Sequence, residues 1–148
     1  MPGITFNACI VTHEGFDFDN IVLGCKEESE CLCLFGESCL ATDESMLPIG
    51  VLNTKDGEIC KVGLGICTRG LKKPERVCDS WNRCLCFYNA ASFPLTEQTV
   101  VSEYHCAYFL LSCLPKFGCC AAPAKEVPTK LSLGGYGAPQ AEGETMKR

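Results

Sequence analysis

The pattern of hydrophobic and polar positions along the chain predicts short extended segments separated by turns, with one stretch of helical length. The apolar segments at 31–35 and 84–88 are typical of strands or tight extended turns. The run at 104–114 (YHCAYFLLSCL) is long enough for a helix. Its counterpart, ICKVGLGIC, contains two glycines that each disfavour a helix by roughly 1 kcal/mol. We therefore predict a small cysteine-rich fold of the α+β class or of irregular structure.

The spacing of the cysteines indicates a tandem repeat. Three cysteines recur after 53 residues (78 − 25), and two more recur after 46 residues (106 − 60). One deletion of seven residues in the second copy, between Cys33 and Met46, reconciles the two offsets. Recurrence at a fixed offset predicts two copies of one structural unit. The paired positions are Cys25 and Cys78, Cys31 and Cys84, Cys33 and Cys86, Cys60 and Cys106, and Cys67 and Cys113.

The repeat and the local composition divide the chain into four predicted segments. An N-terminal segment at 1–20 precedes a first cysteine-rich module at 21–74 and a second one at 75–120. The tail at 121–148 is rich in Pro, Gly and Ala, and a segment of this composition cannot form a core of its own. We therefore expect the extended tail to lie along a protein partner, with three apolar residues as contacts: Leu131, Leu133 and Tyr136.

Composition and charge narrow the possible partners and locations. Modules of about fifty residues bury too little apolar surface to be stable alone, and the fourteen cysteines supply the missing stabilisation. The net charge of −5 disfavours nucleic acid as a partner. Because no apolar run reaches the roughly 18 residues of a membrane span, we predict no transmembrane segment and only peripheral contact with any membrane complex. No signal peptide is visible, so the location stays open: a plastid or other oxidising compartment for a mature chain, otherwise the cytoplasm.

Three uses of the cysteines are consistent with their spacing. Disulfide stapling is the leading prediction, because the cysteine density is that of sulfur-stabilised chains. With disulfides, or with packed thiols as the third use, no cofactor is expected. Bound zinc or iron–sulfur is the alternative, with these ligands: Cys31, Cys33, Cys60, Cys67, Cys84, Cys86, Cys106 and Cys113.

The local spacing both supports and weakens the metal alternative. The two thiols of each C-L-C motif are predicted to share one face of a strand, where they could bind the same ion. A helix at 104–114 would instead hold Cys106 and Cys113 about 10 Å apart, which is too far for two ligands of one zinc ion. Disulfide roles are therefore favoured over metal ligation.

The sequence lacks the common catalytic motifs, and we predict that the protein is not an enzyme. It contains no C-x-x-C redox motif, and its two histidines are His13 and His105. His105 is adjacent to Cys106, but neighbouring residues on a helix do not face each other. A thiol oxidoreductase, which would need an exposed and reactive cysteine, is the remaining catalytic alternative.

The region from about Met46 to Cys120 resembles an uncharacterised cysteine-rich protein family of dinoflagellate algae. The motifs that carry the resemblance are LPIGVL, ICKVGLGIC, GLKKPE, RCLCF, ASFP and CAYFLLSCLPKFGCC. The family brings no known activity or site residues, but the resemblance implies a context, since proteins of such algae often reach structural study as parts of photosynthetic supercomplexes. We expect a non-catalytic structural or accessory protein, a peripheral subunit or linker of a larger assembly, with metal binding as the alternative function.

Overall fold

The structure, a computed structural model, describes residues 3–42, 46–47, 49–54, 57–74, 76–123 and 125–131. Its strands are β1 (Ile4–Ile10), β2 (Thr12–Phe16), β3 (Val22–Cys31), β4 (Leu34–Cys39), β5 (Ile49–Val51), β6 (Glu58–Leu64), β7 (Cys67–Lys72), β8 (Cys78–Leu85), β9 (Phe87–Phe93), β10 (His105–Tyr108), β11 (Leu111–Leu114) and β12 (Gly118–Cys119). They form one sheet in the spatial order β12-β11-β10-β1-β2-β9-β8-β3-β4-β7-β6-β5. The described part of the chain contains no helix, so the predicted α+β class is wrong and the protein is all-β. Within these same residues, no helix is long and apolar enough to cross a membrane.

The run predicted as a helix at 104–114 instead forms the hairpin of β10 and β11. Burial alternates along it: His105, Ala107 and Ser112 are buried, and the residues between them on the two strands are exposed. Phe109 and Leu110 form the turn, with φ of 47° and 70°. This left-handed conformation is the one that a tight two-residue hairpin turn requires. The length of the run indicated a helix, whereas its alternation in burial is that of a strand.

The two C-L-C motifs form similar hairpin turns. In the first, β3 ends at Cys31 and Leu32 has a φ of 54°. In the second, Cys84 lies on β8 and Leu85 has a φ of 55°. The second cysteine of each motif lies in the turn. The prediction that both thiols of a motif share one strand face is therefore wrong.

One strand pair joins the two halves of the sheet. β3, β4, β7, β6 and β5 lie side by side and all come from residues 21–74, while β8 and β9 belong to the other half. β1 and β2 are inserted between β9 and β10. We call the β3–β8 pair the central seam, and its register opposes Cys25 with Cys84 and Cys31 with Cys78. Because both halves belong to one continuous sheet, the division into two modules stays a prediction.

The core lies against one face of the sheet, which we call the covered face. Lys26 and Arg83, on the two strands of the central seam, are each 1% exposed on this face. The covered face therefore combines apolar packing with buried cations. Its buried apolar cluster consists of Cys39, Leu47, Trp81, Tyr88, Ala90, Val101, Val127 and Leu131.

These two buried cations hold the C-terminal segment on the covered face. Arg83 donates hydrogen bonds to the backbone carbonyls of Val127 (2.7 Å) and Pro128 (3.3 Å). Lys26 donates a hydrogen bond from Nζ to the carbonyl of Thr129 (3.1 Å). Since these carbonyls belong to no strand, the cations supply hydrogen-bond partners that a covered backbone needs.

Of the three tail residues predicted to contact a partner, the structure describes one. Leu131 is 5% exposed and packs in the core. Leu133 and Tyr136 lie outside the described residues. Contact between the tail and a protein partner therefore stays a prediction.

Candidate functional site

The face opposite to the core, which we call the outer face, carries most of the cysteines. Opposed residues on neighbouring strands share a face, and successive residues of one strand alternate between the two faces. The Cys25–Cys84 disulfide crosses the central seam, and its two residues alternate with the buried Lys26 and Arg83. From this bond outward, the strand register places nine cysteines on the outer face: Cys9, Cys25, Cys31, Cys60, Cys67, Cys78, Cys84, Cys106 and Cys119.

Large aliphatic side chains lie beside these cysteines and are open to solvent. Leu34 and Leu71 oppose each other on β4 and β7, and they are 61% and 36% exposed. Together with Val62, Cys60 and Cys31 they line an open cavity of about 520 Å³. One half of the outer face therefore offers an apolar groove edged by thiols.

The other half of the outer face carries a cluster of phenylalanines. Phe16 packs edge-to-face against Phe6 (5.6 Å between ring centroids) and Phe87 (5.7 Å), and it stacks on Phe18 (6.1 Å). Phe6 in turn packs against Phe109 (5.7 Å). Phe18 and Phe109 are more than half exposed. Apolar surface therefore extends to both sides of the central seam.

The covered face departs from the usual arrangement of a sheet because it buries charged residues beside its apolar cluster. A sheet with one solvated face normally buries its apolar side chains and exposes its polar ones. Here the covered face buries Arg83, which is paired with Asp17 through a 2.8 Å bond from Nη1 to Oδ2. Burial opposes ionisation of Asp17, but hydrogen bonds from Asn20 and Arg83 outweigh it and lower the pKa of this carboxyl. Charge is thus paired on the covered face beside the apolar core, while the outer face carries exposed apolar side chains together with polar ones such as Glu27 and Asn82.

The cysteines of the outer face differ in their sulfur partners. Cys25 and Cys84 form a disulfide, and the other twelve cysteines are thiols. Cys31 directly opposes Cys78 across the central seam. Burial raises the pKa of the Cys78 thiol, and a hydrogen bond with the Cys31 side chain raises it further. The centre of the outer face therefore holds two cross-strand cysteine pairs, one bonded as a disulfide and one present as two thiols.

A second opposed pair of thiols lies away from the seam. Cys9 on β1 directly opposes Cys106 on β10, and both side chains are exposed. At the edge of the sheet formed by β12, the Sγ atoms of Cys119 and Cys120 are 3.6 Å apart. Six of the twelve thiols therefore lie in neighbouring pairs.

The cysteines predicted as metal ligands are not gathered into two sites. Cys84 is bonded to Cys25, and Cys106 opposes Cys9. Cys31 and Cys60 line the same groove, but no third ligand joins them: among the described residues, no group of three or more His, Cys, Asp or Glu side chains could hold a metal ion. Zinc or iron–sulfur binding stays a prediction. The remaining predicted ligands, Cys33, Cys67, Cys86 and Cys113, are all thiols.

The pairing across the central seam was missed in the sequence, although the repeat carries a signal for it. Each copy contains one C-x5-C segment, Cys25 to Cys31 in the first and Cys78 to Cys84 in the second. When two such segments pair antiparallel, the first cysteine of one faces the second cysteine of the other. The repeat alone did not indicate that these two segments pair with each other in the sheet.

The two histidines lie together on the covered face, away from the outer-face cysteines. His13 and His105 are both buried, with their ring centroids 5.1 Å apart. His13 is hydrogen-bonded to the Thr5 hydroxyl (2.8 Å between Nε2 and Oγ1). Burial, assisted by the nearby His105, lowers the pKa of His13 to about 4. His13 is therefore neutral at pH 7 and serves as a hydrogen-bonding residue of the interior.

Comparison with known proteins finds no matching family model, no matching curated protein and no matching solved structure. The resemblance to a dinoflagellate family accordingly stays a prediction.

Proposed function

We propose that the protein is a non-catalytic structural subunit of a larger assembly and that it packs against a partner protein through its outer face. The observation that supports this proposal is the exposed apolar surface on both sides of the central seam. Contiguous exposed apolar surface on a folded protein is typical of an interaction site. A peripheral subunit or linker of a photosynthetic supercomplex is the most specific form of the proposal, and the sequence resemblance is its source.

The chemistry of the outer face favours an apolar protein surface as the partner. Covering half-exposed side chains such as Leu34, Val62 and Leu71 contributes about 1–2 kcal/mol each. The exposed rings of Phe18 and Phe109 supply the aromatic residues that dominate binding energy in many interfaces. The net charge of −5 disfavours the alternative of a phosphate backbone.

The proposal is tested by placing charge in the groove of the outer face. Leu34 and Leu71 oppose each other, so the double variant Leu34→Lys/Leu71→Glu introduces a cross-strand ion pair that the sheet tolerates. The variant should retain its circular dichroism spectrum and lose co-purification with the native assembly.

A matched control places the same two charges away from the Leu34–Leu71 groove, at residues that do not line it. Met46 and Phe117 are 78% and 85% exposed and lie on no strand. The variant Met46→Lys/Phe117→Glu should co-purify like the parent protein. Normal association of a folded Leu34→Lys/Leu71→Glu variant would show that this face does not bind the partner.

A further inference from the structure

We propose that Cys31 and Cys78 are a second cross-linking site, which forms a disulfide across the central seam when a disulfide-donating thiol oxidoreductase or oxidised glutathione supplies the oxidising equivalents. The two residues are thiols in the structure and directly oppose each other on β3 and β8. This inference does not depend on the proposed assembly function, since it concerns the covalent state of the chain itself.

In the antiparallel ladder of the central seam, Cys31 and Cys78 occupy positions equivalent to those of the disulfide-bonded Cys25 and Cys84. Cys31 lies six residues after Cys25 on β3, and Cys78 lies six residues before Cys84 on β8. The pairing between these two positions is regular, with the only irregularity of the seam lying between Val22 and Cys25. Hydrogen-bonded and non-hydrogen-bonded pairs alternate along an antiparallel ladder, so pairs separated by an even number of residues are of the same kind.

The closed pair shows that this kind of position brings two cysteines close enough to bond. The Cα atoms of Cys25 and Cys84 are 4.2 Å apart, and disulfides require Cα atoms within about 7 Å of each other. Cys31 and Cys78 lie on the same face as that bond and directly oppose each other in the same ladder. Backbone movement is therefore not needed for the bond to form.

The two thiols differ in their exposure to solvent, and we therefore assign them different roles in thiol–disulfide exchange with the donor. Cys31 is exposed and Cys78 is half-buried. The Cys31 thiolate attacks one sulfur of the donor disulfide, forming a mixed disulfide and releasing one donor thiol. Cys78 then loses its proton to solvent and attacks the Cys31 sulfur, which releases the second donor thiol. Two protein thiols become one disulfide, and the donor disulfide is reduced to two thiols.

A second bond would fix the central seam at both ends. The Cys25–Cys84 bond holds one end of the paired segment and the Cys31–Cys78 bond would hold the other, next to the C-L-C turn. The seam is where the strands from 21–74 meet the rest of the sheet. Oxidation therefore locks the two halves of the outer face in a fixed relation.

Peptide mapping of the oxidised parent protein tests the proposal directly. The full chain is equilibrated with a mixture of oxidised and reduced glutathione, its remaining thiols are alkylated, and it is digested with trypsin without reductant. Cleavage after Lys26, Lys55, Arg76 and Arg83 leaves Cys78 as the one cysteine of peptide 77–83, and it leaves Cys31 in peptide 27–55. Peptide 77–83 should be recovered mainly as a disulfide-linked species with peptide 27–55. Recovery of 77–83 mainly in alkylated form, or linked to any other peptide, would overturn the proposal.

Fragmentation and two single variants identify the partner cysteine within peptide 27–55, which also contains Cys33 and Cys39. Cleavage by an enzyme specific for glutamate separates 31–37 from Cys39. The matched control Cys33→Ser should retain the link to 77–83, while Cys31→Ser should lose it and leave Cys78 alkylated. Loss of the link in Cys33→Ser with its retention in Cys31→Ser would assign the bond to Cys33 and contradict the proposed pairing.

Discussion

Removing the Cys25–Cys84 disulfide should lower the free energy of unfolding by about 4 kcal/mol. The bond joins residues separated by 59 positions in the sequence. Closing a loop of this length removes about 14 cal/mol/K of entropy from the unfolded chain, which corresponds to about 4 kcal/mol at 25 °C. The double variant Cys25→Ser/Cys84→Ser removes the bond without leaving an unpaired reactive thiol.

A Cys31–Cys78 bond would reduce this loss in a calculable way. With that bond in place, the loop closed by Cys25–Cys84 contains only the two six-residue spans between the bonds, roughly 14 residues in all. The stabilisation from a loop of that size is about 3 kcal/mol. The parent and the double variant should therefore be compared in both the glutathione-oxidised and the mildly reduced state.

Thermal unfolding monitored by circular dichroism measures the effect. With an unfolding entropy of about 2.1 cal/mol/K per residue over 148 residues, a loss of 4 kcal/mol lowers Tm by about 13 °C. The control Cys33→Ser/Cys86→Ser removes two thiols of the C-L-C turns, and its Tm should remain within about 2 °C of the parent. A Cys25→Ser/Cys84→Ser variant that unfolds at the Tm of the parent would refute the reasoning.

Three further variants test the covered face, each by chemical denaturation. The pKa of His13 is lowered to about 4 in the folded protein, so between pH 6.5 and about pH 4 the unfolded chain binds a proton at His13 more readily than the folded protein does. The contribution of His13 to the free energy of unfolding should therefore be complete above pH 6.5 and fall by up to about 3 kcal/mol as the pH drops to 4. The variant His13→Gln should flatten this part of the pH profile. A Cβ atom at Gly15 would collide with the backbone carbonyl oxygen of Ile4 and with the Tyr88 hydroxyl oxygen, so Gly15→Ala should destabilise the protein by about 1–3 kcal/mol, and a neutral result would contradict this packing. Arg83→Met leaves Asp17 buried without its cation and should cost about 3–5 kcal/mol; it should also speed amide exchange in the C-terminal segment, and unchanged exchange there would mean that Arg83 does not hold this segment.

The sequence predicted the sulfur-rich character of the protein and one of its means of stabilisation, but not its class of fold. Turns in proteins are usually recognised by residues such as Gly, Asn and Asp. Here Leu32, Leu85, Phe109 and Leu110 occupy left-handed turn positions, a conformation that is uncommon for bulky side chains. The apolar runs that contain them therefore resembled continuous strands or a helix, although each consists of two strand ends and a turn.

The burial of charged residues on the covered face was equally hard to predict. The stretch from Cys25 to Cys31 (CKEESEC) alternates between the faces, but five of its seven residues are Lys, Glu or Ser, so its sequence shows no apolar face. Which of its residues are buried depends on Arg83 and the C-terminal segment, which are distant in the sequence. The candidate site could be found only after the register had placed the cysteines and apolar residues on one face.

The central claim is that the outer face is covered by a partner in the native assembly, and hydroxyl-radical footprinting tests it most directly. Oxidation of Leu34, Leu71, Phe18 and Phe109 is measured in the isolated protein and in the assembly purified from its source, with Phe117 as an exposed reference off the sheet. We predict that labelling of the four outer-face residues falls strongly in the assembly while that of Phe117 changes little. Equal labelling of the four residues in both states would contradict the claim.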